Sequence, residues 1–170
     1  GRLKFINELR AFRVRQEDNV FELSQLGKLA NIGGLLGIYN LEKVHSEEEA
    51  TESKLINKSH MKELILEWDV QRSNRDPKFE ENILESLVPH SNLRCLSIRG
   101  HGGTNCPRWL GSNLSVKNLE SLSLDDLSWG SLPPLKIALN SLSCDLHIIV
   151  VVCHSKRRAR LGFLDLSLSG

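Results

Sequence analysis

Aromatic residues are scarce in this chain: Phe, Trp and Tyr together make 9 of 170 residues, and there is a single Tyr. With few rings to stack on bases and a net charge of only +1, the sequence has neither of the features that mark a dedicated nucleic-acid binder. Cysteine is sparse as well. Cys95, Cys106, Cys144 and Cys153 are too few and too scattered to staple a small disulfide scaffold, which points to reduced thiols and a reducing compartment. Long apolar runs are missing. The most hydrophobic window, Leu135 to Cys153, is broken by Lys136, Asn140, Asp145 and His147, so no membrane span is expected. No apolar leader with a small-residue cleavage site opens the chain, and it begins Gly1-Arg2-Leu3 without an initiating Met, so it reads as a fragment or an incomplete gene model.

What is abundant is leucine, 30 of 170 residues, within a 40% hydrophobic composition that excludes a disordered chain. These leucines recur in a pattern. The element apolar-x-apolar appears five times, as Phe12-x-Val14, Leu36-x-Ile38, Leu64-x-Leu66, Leu96-x-Ile98 and Leu122-x-Leu124, at spacings of 24, 28, 32 and 26 residues. An apolar residue lies three positions upstream in four copies (Leu9, Met61, Leu93, Leu119), with Ile32 one residue further back in the remaining copy. This L-x-x-L-x-L pattern is the leucine-rich repeat signature. Alternation places two side chains on one face of a short strand, and one such strand cannot bury that face alone, so the repeats must stack.

Between the strands two helices are expected. Ser46-Glu-Glu-Glu49 is a capping box opening a helix near 47–57, and Asp76-Pro77 caps one near 78–87, whose Phe79, Ile83, Leu84 and Leu87 form a single apolar stripe ended by Pro89. The fold class that follows is α/β: a short, irregular leucine-rich repeat solenoid or horseshoe, with parallel strands on the concave face and helices and loops on the convex face. About five repeats occupy a domain of residues 1–135.

The asparagine that usually stands three positions after the second strand leucine is replaced by Leu41, Asp69, His101 and Leu127. Together with Gly34-Leu-Leu-Gly-Ile-Tyr-Asn-Leu-Glu-Lys-Val44, Glu49-Ala50, Leu64-Ile-Leu-Glu-Trp68, Gly103-Thr-Asn-Cys-Pro-Arg-Trp-Leu110, Val116-Lys-Asn-Leu-Glu-Ser-Leu-Ser-Leu124 and Leu132-Pro-Pro-Leu135, this irregular pattern resembles the leucine-rich repeat region of plant nucleotide-binding immune receptors, the disease resistance proteins of cereal coiled-coil type. The resemblance implies a non-catalytic protein-binding module for effector recognition and autoinhibition. The implied partners are the nucleotide-binding domain of the same receptor and a pathogen effector or host guardee, and the implied location is cytoplasmic, with a nuclear one left open by the basic cluster Lys156-Arg-Arg-Ala-Arg160. Past Leu135 the resemblance stops. Residues 136–170 form an atypical C-terminal segment, either a mis-spliced tail or a cap built on a strand at Leu146–Cys153, and weak structure is expected there. Two other readings stay open: a substrate adaptor of a ubiquitin ligase, and a non-functional truncated gene product.

Several motifs invite chemistry and are outweighed. Gly100-His-Gly-Gly-Thr104 could cradle a phosphate, but it lacks both the Lys-Ser/Thr of a P-loop and a G-x-G-x-x-G spacing, so a turn toward Pro107 is expected. Cys144, His147, Cys153 and His154 have metal-capable side chains, yet along a strand His147 and Cys153 would lie roughly 20 Å apart. The sequons at Asn57 and Asn113 matter only to a secreted chain. No nucleophile elbow or H-E-x-x-H is present, and no catalytic residue, metal or cofactor is expected.

The candidate site is therefore a surface. In each strand the residue after the second inward apolar side chain points outward, and stacking aligns Arg15, Tyr39, Glu67, Arg99 and Asp125 in one column, with Arg13, Gly37, Ile65, Ser97 and Ser123 in the next and Glu63 beside them. Tyr39 and Ile65 are expected to be exposed anchors for a partner, oriented by the flanking charges. The alternative is that the charges of the first column simply pair with one another.

Overall fold

The computed structural model describes residues 8–15, 22–111 and 116–131. Five short strands, β1 (Ala11–Arg13), β2 (Gly34–Tyr39), β3 (Met61–Glu67), β4 (Cys95–Arg99) and β5 (Ser121–Asp125), pair in chain order into one parallel sheet. Parallel neighbours need a crossover. Here the crossovers are short helices, α1 (Glu47–Glu52) and α2 (Pro77–Ser86), together with 3-10 turns at Leu23–Lys28, Leu41–Lys43 and Leu55–Asn57. This is the expected α/β leucine-rich repeat solenoid.

Alternation within each strand sends one set of side chains inward. Leu36 stands beside Leu64, Leu96 and Leu122, while Ile38 stands beside Leu66, Ile98 and Leu124, and all are at most 2% exposed. Each buried side chain contributes about 1.5–3 kcal/mol relative to exposure. Phe12, Val14, Ile32, Met61 and Leu93 complete this core, with Leu9 and Leu119 half-buried against it.

One register differs from the expectation. Phe12 pairs with Ile38, not Leu36, so β1 is displaced by two residues and the first repeat is 26 residues long instead of 24. The backbone fixes this: Gly37 N donates to Arg10 O at 2.9 Å and Val14 N to Tyr39 O at 3.0 Å. A two-residue slide preserves alternation, so Phe12 and Val14 still point inward and the apolar pattern cannot distinguish the two pairings.

Strands β2, β4 and β5 end by a common device. Asn40, Gly100 and Asp126, each two positions after the last inward strand residue, have φ of 62°, 73° and 50°. Glycine, Asn and Asp are the residues that enter this left-handed region most readily. At Gly100 a side chain would also meet Trp68 O at 2.5 Å. The turn therefore lies one residue before the position at which the sequence lacks its consensus asparagine.

Both helix starts are as expected. Ser46 Oγ accepts from Glu49 N at 3.2 Å, and Asp76 accepts from Phe79 N at 3.0 Å with Pro77 in the first turn. The expected helix of 47–57, however, is two pieces, because Ser53 turns its hydroxyl onto Ala50 O and Lys54 takes a φ of 52° before the 3-10 turn begins. Lys58, fully buried, donates from Nζ to Leu26 O at 2.7 Å and Leu29 O at 2.9 Å, tying this turn to the preceding repeat. Burial pushes its ammonium down to about 8, and even the neutral amine keeps two N–H donors for those two carbonyls.

The expected weak segment past Leu135, the basic cluster at 156–160, Asn113 and the residues Cys144, His147, Cys153 and His154 lie outside the described residues.

Candidate functional site

The outward face of the sheet is set by the same pairings that set the core. The first column reads Arg13, Tyr39, Glu67, Arg99 and Asp125, and the second Ala11, Gly37, Ile65, Ser97 and Ser123. The two-residue slide of β1 thus puts Arg13 in the place expected for Arg15 and Ala11 in the place expected for Arg13. Arg15 is exposed beyond the end of β1. Glu63 belongs to a third column, between Leu35 and Cys95 and continuing to Ser121. Leu35, Cys95 and Ser121 were missed as face residues, although counting one position before the first inward leucine would have found them.

At the β1–β2 end the Arg13 guanidinium lies over the Tyr39 ring, 4.8 Å from its centroid. The ring itself lies across β2: a side chain at position 37 would meet the Tyr39 hydroxyl at 2.6 Å, so Gly37 makes room for it. Tyr39 is in consequence half-buried, and so is Ile65, not exposed as the sequence suggested. Cation–π contact at such a site contributes about 0.5–1 kcal/mol and holds both side chains in place.

At the β3–β5 end the charges pair. Arg99 Nε is 3.2 Å from Asp125 Oδ2, and its NH1 is 4.0 Å from Glu67 Oε2, with Arg94 and Glu120 forming a second exposed pair at 3.5 Å beside them. Within this end, on β4, lies the Cys95 thiol, which burial pushes up, helped by Glu63 and Glu120, so it is not poised as a nucleophile. Among the described residues no group of three or more His, Cys, Asp or Glu could hold a metal ion, and no helix is long and apolar enough to cross a membrane.

The glycine loop after β4 is not open to a phosphate. Carboxylates from α2 occupy it: Gly102 N donates to Glu80 Oε2 at 2.6 Å, and Thr104 N and the adjoining Asn105 N to Glu81 Oε1 at 2.8 and 3.0 Å. Further on, Arg108 N donates to Glu85 Oε2 at 2.9 Å. Behind the loop His101 is wholly buried, its Nδ1 accepting from Trp129 Nε1 at 2.9 Å and its ring meeting Trp68 edge-on at 5.0 Å. Burial holds the imidazole below its ordinary value, against the pull of Glu80 and Glu81, so it stays neutral.

A repeated L-x-L strand, a parallel sheet in chain order and an outward face of mixed polar side chains together describe one architecture, and comparison with known families agrees. Residues 23–149 match the family described as R13L1/DRL21 leucine-rich repeats. The chain belongs to this family. The match runs on past Leu135. Among relatives, RGA1 of Solanum bulbocastanum, named as a disease resistance protein, is 32% identical over 78% of this chain, and RGA2 of the same species is 31% identical over 79%. RPP13-like protein 1 of Arabidopsis thaliana, similarly named, is 31% identical over 74%. The chain spans 14% of the length of RGA1 and of RGA2, and 12% of RPP13-like protein 1. No solved structure matches. The chain is a leucine-rich repeat region of the plant disease resistance type.

Proposed function

We propose that this region is the non-catalytic protein-recognition module of a plant immune receptor, acting in the cytoplasm. Its outward face would contact the nucleotide-binding domain of the same receptor at rest and respond to a pathogen effector or host guardee. The observation that carries the reading is the pre-set pair of Arg13 and Tyr39 beside half-buried Ile65, an aromatic and an apolar anchor held on a rigid sheet. Recognition surfaces draw their energy from such anchors, and immobilising them beforehand lowers the entropy lost on binding. Solenoids use their concave faces in this way. Names of relatives as disease resistance proteins favour this reading over a ubiquitin-ligase adaptor.

The site comprises Arg13, Tyr39, Glu63, Ile65, Glu67, Ser97, Arg99, Ser123 and Asp125, with Arg15 at its margin. The test is made in the complete receptor. Tyr39→Ala and Arg13→Glu should each weaken ligand response or release the resting restraint while leaving receptor abundance unchanged. If both variants rest and respond like the parent, this face is not the binding surface.

A further inference from the structure

We infer that Thr104–Asn105 is a carboxylate-binding site, which the side chain of Glu81 occupies in cis and which takes a free carboxylate when that side chain is withdrawn. Four donors converge on one oxygen. Glu81 Oε1 accepts from Thr104 N at 2.8 Å, Thr104 Oγ at 2.8 Å, Asn105 N at 3.0 Å and Asn105 Nδ2 at 3.1 Å. Four donors exceed the two lone-pair directions of any such oxygen, so what suits this convergence of backbone and side-chain donors to an oxyanion and not to a neutral carbonyl is its negative charge. The second oxygen, Oε2, faces Lys78 Nζ at 3.6 Å, so the site also has a cation beside it.

The other carboxylates of α2 differ from Glu81. Glu80 is committed to Arg72 and to Gly102 N inside the fold, and Glu85 accepts from Arg108 N. Glu81 sits where α2 meets solvent: its own side chain is 12% exposed, that of Lys78 is 79% exposed, and Thr104 and Asn105 are both exposed. The donors are therefore reachable from water once Glu81 leaves them. The sequence singled out this glycine loop as a candidate anion cradle; the geometry places the cradle at its far end, with a monoanionic carboxylate as its ligand.

The experiment compares the full chain with its Glu81→Ala variant in sodium formate and in sodium chloride at equal ionic strength. In chloride the variant should melt below the parent. Formate should raise the variant's midpoint saturably and leave the parent's unchanged. Equal midpoints for the variant in the two salts, or an equal response by the parent, overturn the proposal. Where Glu81→Ala does not fold in chloride, Glu81→Gln decides, since it keeps an oxygen in place without the charge. Its Thr104 and Asn105 amides should exchange with solvent at least tenfold faster than in the parent, the effect of losing a charge-assisted bond, and formate should restore their protection. Parent-like protection of Glu81→Gln in chloride would show that a neutral acceptor suffices, and the site would then be no anion site.

Discussion

Two arginines in this molecule each stand against acidic partners, and they have opposite roles. Arg99, on the outward face, bridges Glu67 and Asp125 with its side chain 51% exposed and theirs 34% and 36%. Arg72, behind the sheet, holds Glu80 with both side chains 6% exposed, and its NH2 also donates to Gly100 O at 2.9 Å while Glu80 accepts from Gly102 N. Exposed pairs gain little because water screens them and their side chains are costly to order. The buried pair is different: it is surrounded by its own hydrogen bonds, and removing either member leaves an uncompensated charge. Position in the repeat, not residue type, decides whether an ion pair is a fastening or a surface.

The largest effect expected is at the fastening. Arg72→Met or Glu80→Ala should cost about 3–5 kcal/mol, because each leaves one buried charge alone and Glu80→Ala also orphans Gly102 N. Chemical denaturation of the full chain measures it, and a loss below about 1 kcal/mol would place this pair in the same class as Arg99's and remove the contrast. Next comes Leu96→Ala, which should cost about 2–5 kcal/mol through lost burial and the cavity left among Leu64, Leu122 and their neighbours. An unchanged midpoint would reject the inward register of β4.

Protonation should separate the two regions in a graded way. The Glu81 carboxyl, which partial burial would raise, is instead pulled down to about 2 by Thr104 and Asn105. A carboxyl held below its unfolded value contributes stability that is complete above that value, near 4.5, and is lost as pH falls toward 2. The depressed imidazole of His101 works in the same sense: below its ordinary 6.5 the unfolded chain takes up the proton first, so stability begins to fall there. Each group gives a slope of at most about 1.4 kcal/mol per pH unit. The stability difference between the parent and Glu81→Gln should shrink as pH drops from 4.5 to 2, and the slope between 6.5 and 5 should flatten in His101→Asn. A parent whose stability does not change from pH 6.5 to 3 contradicts both assignments.

Much of this was legible in the sequence, for reasons that differ by element. The inward leucines were legible because period-two alternation between turns admits one reading of which side chains face the core. Ser46 and Asp76 were legible because a cap needs an oxygen acceptor at one position. The pairing of β1 was not: Phe12 and Val14 satisfy alternation in either register, and only the stacking of Arg13 on Tyr39 and the bonds to Arg10 and Tyr39 distinguish them. Nor were Lys58, Glu80 and Glu81, since a lone lysine or a glutamate on a short helix looks solvated until the chain beside it supplies carbonyls or N–H groups. On the outward face, alternation gave the columns, whereas the burial of Tyr39 depended on Gly37, a contact within one strand that no face-counting rule contains.

The smallest effect on stability is expected at Arg99, and it tests the comparison most directly. Arg99→Ala removes both the 3.2 Å contact to Asp125 and the 4.0 Å contact to Glu67, but each partner stays in water, so the cost to folding should be no more than about 1 kcal/mol. The variant also leaves Glu67 and Asp125 unopposed. That makes the already acidic β3–β5 end of the face, where Glu63 and Glu120 lie nearby, more negative, so a basic partner should associate faster and an acidic one more slowly, with the difference shrinking at high salt. Measured in the complete receptor, an altered resting restraint or ligand response together with an unchanged melting midpoint assigns Arg99 to the surface. If the variant instead unfolds as readily as Arg72→Met, the outward ladder is a fastening too, and the contrast between the two arginines fails.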